Sequence, residues 1–451
     1  MRKAKLVLAL SVAFGSFAFG SIAVQAADLV SIYREAVVAD PQLGAARAAF
    51  LAGRERIAQG KAGLLPQVNA NAGYTYTNLD SAFINNPTSA SPGNKGFPTR
   101  TFGIQLTQPL YRAQNRETYE QSKLQALVSE IQLGVASQDL MVRVSQGYFD
   151  VLLSQANLAF IRAQKSAIAE QLAQAKRNFV VGTATITDTN DAQARFDLAQ
   201  AQEVASLNDL EVKRRGLAAI IGKNPGSLAG PAEPIVLNPP APADMDAWVE
   251  QAKATSLQVE VQKTNVEIAG REVRKQKAGH MPTVDAVASF SDNKAQASTF
   301  GFGSEVRQTV IGVQVNLPIY LGGAVNSRIR ESEAGRTKAE QDLEGARRQA
   351  VLSTQQAYLG VTSGLAQVRA LEQALQSSQV SLESTKLGRD VGVRTSVDVL
   401  NAQQQVANAR RDLAKSTYDT ILAQLKLKQA VGRLTIDDLE AVNRLLKAEV
   451  R

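Results

Sequence analysis

The chain has 451 residues, a formal net charge of +8 and no cysteine. A charge this small for the length, without any run of lysine or arginine, argues against a nucleic-acid partner. Without cysteine an exported chain has no disulfides and no lipid-bearing thiol, so its fold must be stabilised by burial or by oligomerisation.

The first 26 residues are predicted to be a signal peptide. Three basic side chains within the first five residues precede an apolar stretch over 6–24 and a small-residue cleavage site that ends at Ala26. This order is typical of secretory signals, and we expect export followed by cleavage near Ala26. No later segment has the ~18 consecutive apolar residues of a transmembrane helix.

The mature chain is predicted to contain two structural repeats, 27–222 and 245–432. Three pairs of segments match in the same order, which indicates a duplication. The pairs are KAGLLPQVNANAGYTYT from Lys61 with KAGHMPTVDAVASFSDN from Lys277, GIQLTQPLY from Gly103 with GVQVNLPIY from Gly312, and VGTATITD from Val181 with VGVRTSVD from Val391. The Pro- and Gly-rich segment 223–244 is predicted to be an extended equatorial linker, and 433–451 a C-terminal equatorial segment.

Each repeat is predicted to combine helices with a pair of strands. The first repeat contains a helix over 28–62 with Asp28 as its N-cap, strands over about 66–77 and 100–110, and helices over 113–180 and 187–221. The second contains a helix over 245–279, strands over about 282–292 and 308–318, another long helix, and a helix over 396–431. A short helix over 436–450 follows.

The four predicted strands are typical of transmembrane β-strands. Each is about ten residues long and alternates apolar with uncharged polar side chains, with tyrosine or phenylalanine near the ends. The sheet of a soluble protein alternates in the same way, but the strand length, the aromatic residues and the signal peptide favour a membrane. Four strands cannot close a barrel, since small transmembrane barrels need about eight. Three chains that pool their strands would supply twelve.

The long helix in each repeat is predicted to be a coiled-coil rod. Roughly 65 residues make a rod of about 100 Å, and the shorter helices could stack end to end beside it. The apolar positions that recur every seven residues are Val128, Val135, Val142 and Phe149 in the first repeat, and Val361, Val368, Leu375 and Leu382 in the second. The expected fold is therefore mainly α with a β-barrel.

No catalytic residue, metal site or cofactor site is predicted. The single histidine, His280, precedes a predicted strand, and we interpret it as structural. The sequence has no Gly-rich phosphate loop, nucleophile elbow or HExxH motif. An enzyme is therefore the least favoured class of protein.

Two similar turns, 179–188 and 389–398, end the long helices. Gly182 and Gly392 are predicted to adopt the left-handed conformation that terminates a helix. An acidic group at the start of the next helix favours its dipole, and the residues predicted at or inside those starts are Thr187 or Asp188 and Ser396 or Asp398. Helix-turn-helix geometry explains these residues but not Arg394.

At these turns the sequence resembles the TolC family of outer-membrane channel-tunnels, over essentially the whole mature chain. The resemblance rests on ATITDTNDAQAR and VGVRTSVDVLNAQ at the turns, QPLY and LPIY after the strands, and GLAAIIG and LKQAVGRL at the helix ends. It implies a homotrimer with a twelve-stranded barrel in the outer membrane and a twelve-helix tunnel through the periplasm. The two turns would close the periplasmic end of that tunnel.

The resemblance also implies a network of polar contacts at the closed tip. By position, Arg394 would hydrogen-bond to Thr187, and Asp188 would be the acidic partner in contacts between neighbouring coils. Arg389 stands where a family member has tyrosine, which makes a salt bridge to Asp188 the expected contact.

A ring of carboxylates is implied at the constriction. Asp398 would point into the lumen, so three copies would place three carboxylates around it. A second lumenal aspartate of the family is replaced here by Asn401, which would halve the lower charge ring.

The resemblance implies an outer-membrane exit duct for protein substrates in type I secretion, for small molecules, or for both. Its partners would be outer-membrane lipid and an inner-membrane ABC exporter or other translocase with a periplasmic adaptor. The alternative is a dedicated multidrug efflux factor. A periplasmic adaptor is less favoured, because adaptors have one helical hairpin and lack duplicated strand pairs.

Overall fold

The computed structural model describes residues 27–81, 93–183, 185–231, 235–297 and 302–446. The predicted signal peptide lies outside these residues. The elements are α1 (Leu29–Ala39), α2 (Pro41–Ala62), β1 (Gln67–Ser81), β2 (Gly93–Tyr111), α3 (Ala113–Val180), α4 (Ile186–Ile221), α5 (Met245–Thr255), α6 (Leu257–Lys277), a short 3-10 turn (Ala278–His280), β3 (Thr283–Ala295), β4 (Ser304–Asn316), α7 (Ala324–Asp390), α8 (Ser396–Ala430) and α9 (Ile436–Leu446).

The strands form one antiparallel sheet in the order β1-β2-β3-β4. Ala72 pairs with Phe102, which in turn pairs with Asp292 of β3. All four predicted strands are present, but β1 and β2 run further than expected, because their pairing continues beyond the alternating apolar segment. Within the described residues the outer edges of β1 and β4 have no strand partner.

The two long helices have the predicted lengths, 68 residues for α3 and 67 for α7. Such helices are about 100 Å long. Each pairs with a shorter helix to form a hairpin, α3 with α4 and α7 with α8, while α2 packs on α3 and α6 packs between α3 and α7. Of the predicted heptad positions, Val142, Phe149, Val361 and Val368 are buried.

Two helices predicted as continuous are each broken in the middle. The helix predicted over 28–62 ends at Ala39 and restarts at Pro41, with Asp40 in an extended conformation between them. Asp40 caps α2 by accepting a hydrogen bond from the Leu43 N–H at 2.9 Å, and proline suits the first position of a helix. The helix predicted over 245–279 breaks at Ser256, which is also extended but makes no side-chain cap and is followed by Leu257.

The largest core lies at the middle of the molecule, where the linker and α9 pack around α3. Phe149 of α3 stacks on Tyr418 of α8 with ring centroids 4.9 Å apart. The buried Tyr148 donates its hydroxyl proton to the carbonyl oxygen of Ala229 in the linker at 2.7 Å. Burial raises the pKa of Tyr148 well above its usual range. Asp28 caps α1, as predicted, by accepting from the Ser31 N–H.

An ion pair fixes the junction between the sheet and the long helix. Arg112, the residue before α3, donates to both carboxylate oxygens of Asp285 in β3 at 2.8 and 2.6 Å. Asp285 is only 8% exposed. A bidentate pair of this kind sets direction as well as contributing energy, so it holds α3 at a defined angle to the strands.

Among the described residues, no helix is long and apolar enough to span a membrane. The same residues contain no group of three or more His, Cys, Asp or Glu side chains that could hold a metal ion. His280 is exposed, with its Nε2 3.1 Å from Oδ1 of Asn326.

Candidate functional site

The two predicted tip turns have the same backbone structure. Gly182 and Gly392 have φ of 77° and 82°, the left-handed region that favours glycine. In the first turn the Gly182 N–H donates to the carbonyl of Phe179 at 3.1 Å, and in the second the Gly392 N–H donates to that of Arg389 at 2.9 Å. These bonds satisfy carbonyl groups that the end of a helix otherwise leaves free.

A reciprocal cap starts the helix after each turn. Thr185 accepts from the Asp188 N–H at 3.2 Å, and the Asp188 carboxylate accepts from the Thr185 N–H at 2.9 Å. Thr395 accepts from the Asp398 N–H at 3.2 Å, and the Asp398 carboxylate accepts from the Thr395 N–H at 2.9 Å. In each cap, hydrogen bonds hold the pKa of the aspartate carboxyl below its usual value. The bond from the threonine N–H has the larger effect, and the bond from the threonine hydroxyl comes second.

The capping threonines were not among the predicted site residues. Thr187, one of the predicted helix starts, is instead the second residue of α4, exposed and one position before Asp188. The signal was readable, because TITD and TSVD both match the pattern of Ser or Thr followed three residues later by an acidic residue. Thr185 and Thr395 thus carry the cap, and each aspartate completes it.

Within the described part of one chain, Arg389 and Arg394 make their hydrogen bonds inside the second turn, Arg389 through its side chain and Arg394 through its backbone. Arg389 donates to Asp390 at 2.8 Å, and the backbone N–H of Arg394 donates to the carbonyl of Gly388 at 3.0 Å. A Cβ at Gly388 would lie 2.8 Å from Cγ of Arg394. The predicted contacts of Arg394 with Thr187, and of Arg389 with Asp188, remain predictions.

The predicted constriction residues occupy the first turns of α8. Asp398 is half-buried, and Asn401 is exposed three positions later. Residues three apart lie on the same face of a helix, so the two side chains line one side of α8. Arg394 makes a further small contribution to lowering the pKa of Asp398.

Ion pairs join the two helices of the first hairpin, and a groove lies between this hairpin and α8 on the tip side of the core. Glu203 of α4 accepts from Arg162 and Lys165 of α3 at 3.0 and 2.9 Å. A small cluster that includes Ile168 and Leu400 joins the hairpins. Beside it a groove of about 870 Å³ separates α3 from α8.

Comparison with known proteins identifies the group to which this architecture belongs. The chain is 33% identical over 447 residues to the outer membrane protein TolC of Vibrio cholerae, with 99% of each chain covered. It is 30% identical to the alkaline protease secretion protein AprF of Pseudomonas aeruginosa, covering 92% of this chain and 86% of that protein.

The fold also matches solved structures. The crystal structure of the Campylobacter jejuni CmeC outer membrane channel superposes with a TM-score of 0.76 at 16% identity, covering 94% of this chain and 90% of that one. The sequence profile described as "Outer membrane efflux protein" matches residues 32–223 and 248–433, one stretch in each half. The chain therefore belongs to the outer membrane efflux protein family.

Proposed function

We propose that this chain forms the outer-membrane exit duct of a tripartite export system, and that three copies build the duct. Their sheets join edge to edge into a twelve-stranded barrel, and their long and stacked helices form a twelve-helix tunnel through the periplasm. The duct conducts passively. An inner-membrane translocase supplies the energy, and a periplasmic adaptor joins the two.

The observation that carries this proposal is a sheet with two free edges and an exposed apolar face. In the described residues β1 and β4 lack outer partners, and apolar side chains such as Val68, Ile311 and Val313 are largely exposed. Each backbone group left unpaired in lipid costs several kcal/mol. Pairing of β1 with the β4 of a neighbouring copy removes both edges and leaves the apolar face toward lipid.

The cargo follows from the relatives. AprF is named for the secretion of a protease, which supports protein substrates and a type I exporter as the translocase. The family description names efflux, so small molecules are the second class of cargo, and a dedicated multidrug efflux factor is the alternative.

We further propose that the tip turns form the gate of this duct. In the closed trimer Arg394 binds Thr187, and Asp188 pairs with Arg389 of a neighbouring coil. Asp398 from three copies forms the carboxylate ring at the constriction. The open groove between α3 and α8 supports this, because it permits the hairpins to separate when a translocase docks.

Cysteine cross-linking tests the assembly. The chain has no cysteine, so introduced thiols are unambiguous. Ala72→Cys in β1 is combined with single cysteines scanned from Arg307 to Val313 in β4, and oxidation should give covalent trimers at matching registers. The control pair, Ala72→Cys with Phe102→Cys, joins partners within one sheet and should stay monomeric on a denaturing gel. If no position in β4 gives cross-linked oligomers with Ala72→Cys, the proposed assembly is contradicted.

A further inference from the structure

The strand register arranges the apolar face of the sheet in rows of side chains that run across the strands. One row contains Val68, Leu106, Ala288 and Ile311, and the next contains Ala70, Ile104, Phe290 and Thr309. After a mixed row of Ala72, Phe102, Asp292 and Arg307 comes a row that we call the rim row, made of Tyr74, Arg100, Lys294 and Glu305. The rim row therefore lies where the apolar face ends, on the side away from the helices.

The rim row places two cations directly opposite each other. Arg100 of β2 pairs with Lys294 of β3, and both side chains are exposed. Directly opposite residues have Cβ atoms about 4.5–5.5 Å apart, and like charges at that spacing destabilise a sheet. The arrangement therefore calls for an anion.

The carboxylates nearby do not supply enough negative charge. Glu305 is shared, since it accepts from Lys294 at 3.0 Å and from Arg307 at 2.7 Å. Asp292 lies 3.4 Å from Arg307. No acidic partner of Arg100 occurs among the described residues. The rim row and the mixed row together hold three cations and two carboxylates, which leaves one positive charge, at Arg100.

The surroundings of Arg100 suit a phosphate group. A guanidinium binds phosphate oxygens through two parallel hydrogen bonds, and an ammonium adds a point charge. Tyr74 lies directly opposite Arg100 on its other side and can donate its hydroxyl proton. An anion between these side chains would have Phe102 one row below it and Ile104 one row further, on a surface that fits acyl chains.

We propose that Arg100 and Lys294, with Tyr74, bind the phosphate headgroup of a lipid in the outer leaflet of the membrane. The acyl chains of that lipid lie along the apolar rows beside them. This rests on the proposed function, because it requires the apolar face to point toward lipid. A lipid is favoured over a free phosphate because Phe102 and Ile104 continue from Arg100 along β2 as an apolar path toward the helices.

Native mass spectrometry of the detergent-solubilised protein, titrated with phosphatidylglycerol, tests this site. A basic residue near an anionic lipid surface contributes enough for about a fivefold change in affinity. Arg100→Gln and Lys294→Gln should each weaken phosphatidylglycerol binding about fivefold, and the double variant about 25-fold. Zwitterionic phosphatidylcholine should bind more weakly to the wild type and respond little to these changes.

Arg307→Gln is the matched control, because Arg307 is an exposed cation of the same face but lies on β4, two strands away from Arg100, in the mixed row rather than the rim row. It should leave phosphatidylglycerol affinity within about twofold of wild type. Equal losses in the Arg307 and Arg100 variants, or no loss in the Arg100 and Lys294 variants, would overturn the site. Displacement of the lipid by excess inorganic phosphate in the wild type would overturn the assignment to a lipid.

If one of the two single variants fails to fold, the other still tests the site. The assembly of each variant is checked by its heat-modifiable migration on gels. The proposed duct is judged separately, from wild-type conductance in planar bilayers. A wild-type protein that conducts but shows no preference for phosphatidylglycerol contradicts the lipid site alone. A wild-type protein that does not conduct contradicts the duct.

Discussion

Replacing Asp40 should lower the free energy of unfolding, and the loss can be divided between two contacts of its carboxylate. The Asp40 carboxylate caps α2 and also accepts from Nη2 of Arg143 at 2.9 Å. Loss of an N-cap costs about 1 kcal/mol. Breaking a buried ion pair costs about 3–5 kcal/mol, but the Arg143 side chain is 26% exposed and keeps Asp139 at 2.6 Å, which reduces this term to about 2 kcal/mol.

Asp40→Ala should therefore destabilise the chain by about 3 kcal/mol and Asp40→Asn by about 2 kcal/mol, because asparagine keeps the cap. Thermal unfolding followed by circular dichroism, at one scan rate because membrane proteins of this size unfold irreversibly, measures both. The alanine variant should unfold roughly 3–6 °C below the wild type. Equal unfolding midpoints for the two variants would refute the role of the cap. Unfolding midpoints equal to that of the wild type would refute the contributions of both the cap and the ion pair.

Acid should abolish the difference between the wild type and Asp40→Asn. The hydrogen bonds from Arg143 hold the pKa of the Asp40 carboxyl below its usual value. A lowered folded-state pKa gives stability that is present above the ordinary aspartate pKa, about 3.9, and is lost as the pH falls through the folded value. The midpoint difference should be constant near neutrality and shrink below about pH 4. A difference that persists in acid would show that the charge plays no part.

Three further predictions concern the tip turns. Arg394→Ser should raise single-channel conductance by releasing the closed tip. Gly388→Ala should act in the same direction, since its Cβ would lie 2.8 Å from Cγ of Arg394. Unchanged conductance in both variants would contradict the proposed gate. Asp398→Asn should weaken cation selectivity and block by polyvalent cations, and unchanged block would show that the carboxylate ring is wrongly placed. Gly392→Ala should cost about 1–2 kcal/mol because φ is positive there, whereas Gly335→Ala, in open space within α7, should be neutral or stabilising by thermal unfolding.

The order of the long helices and strands could be predicted because the sequence patterns that mark them are strong and occur twice. Duplicated segments, uninterrupted heptads and period-two strands each occur twice, so α3 and α7 and all four strands were found. The two breaks at Asp40 and Ser256 were missed because each interrupts the helix at one extended residue only, although a capping residue followed by proline marks the first.

Contacts between distant residues were beyond the reach of the sequence. Arg112 and Asp285 are 173 positions apart, and Asn443 donates to Asp28 across 415 positions. The fold alone brings these side chains together. At the tips, the left-handed glycines and the acidic residues were predicted, whereas the capping role of Thr185 and Thr395 was missed, although the Thr-x-x-Asp pattern that marks it can be read in the sequence.

Single-channel recording in planar bilayers tests the central claim most directly. The purified wild-type protein should insert as discrete conductance steps of uniform size that favour cations, because three Asp398 carboxylates face the constriction in the proposed trimer. Arg394→Ser should give larger steps, with Arg411→Ser as the control, because Arg411 pairs with its neighbour Asp412 within the helix. A correctly assembled wild-type trimer that produces no conductance steps would contradict the account.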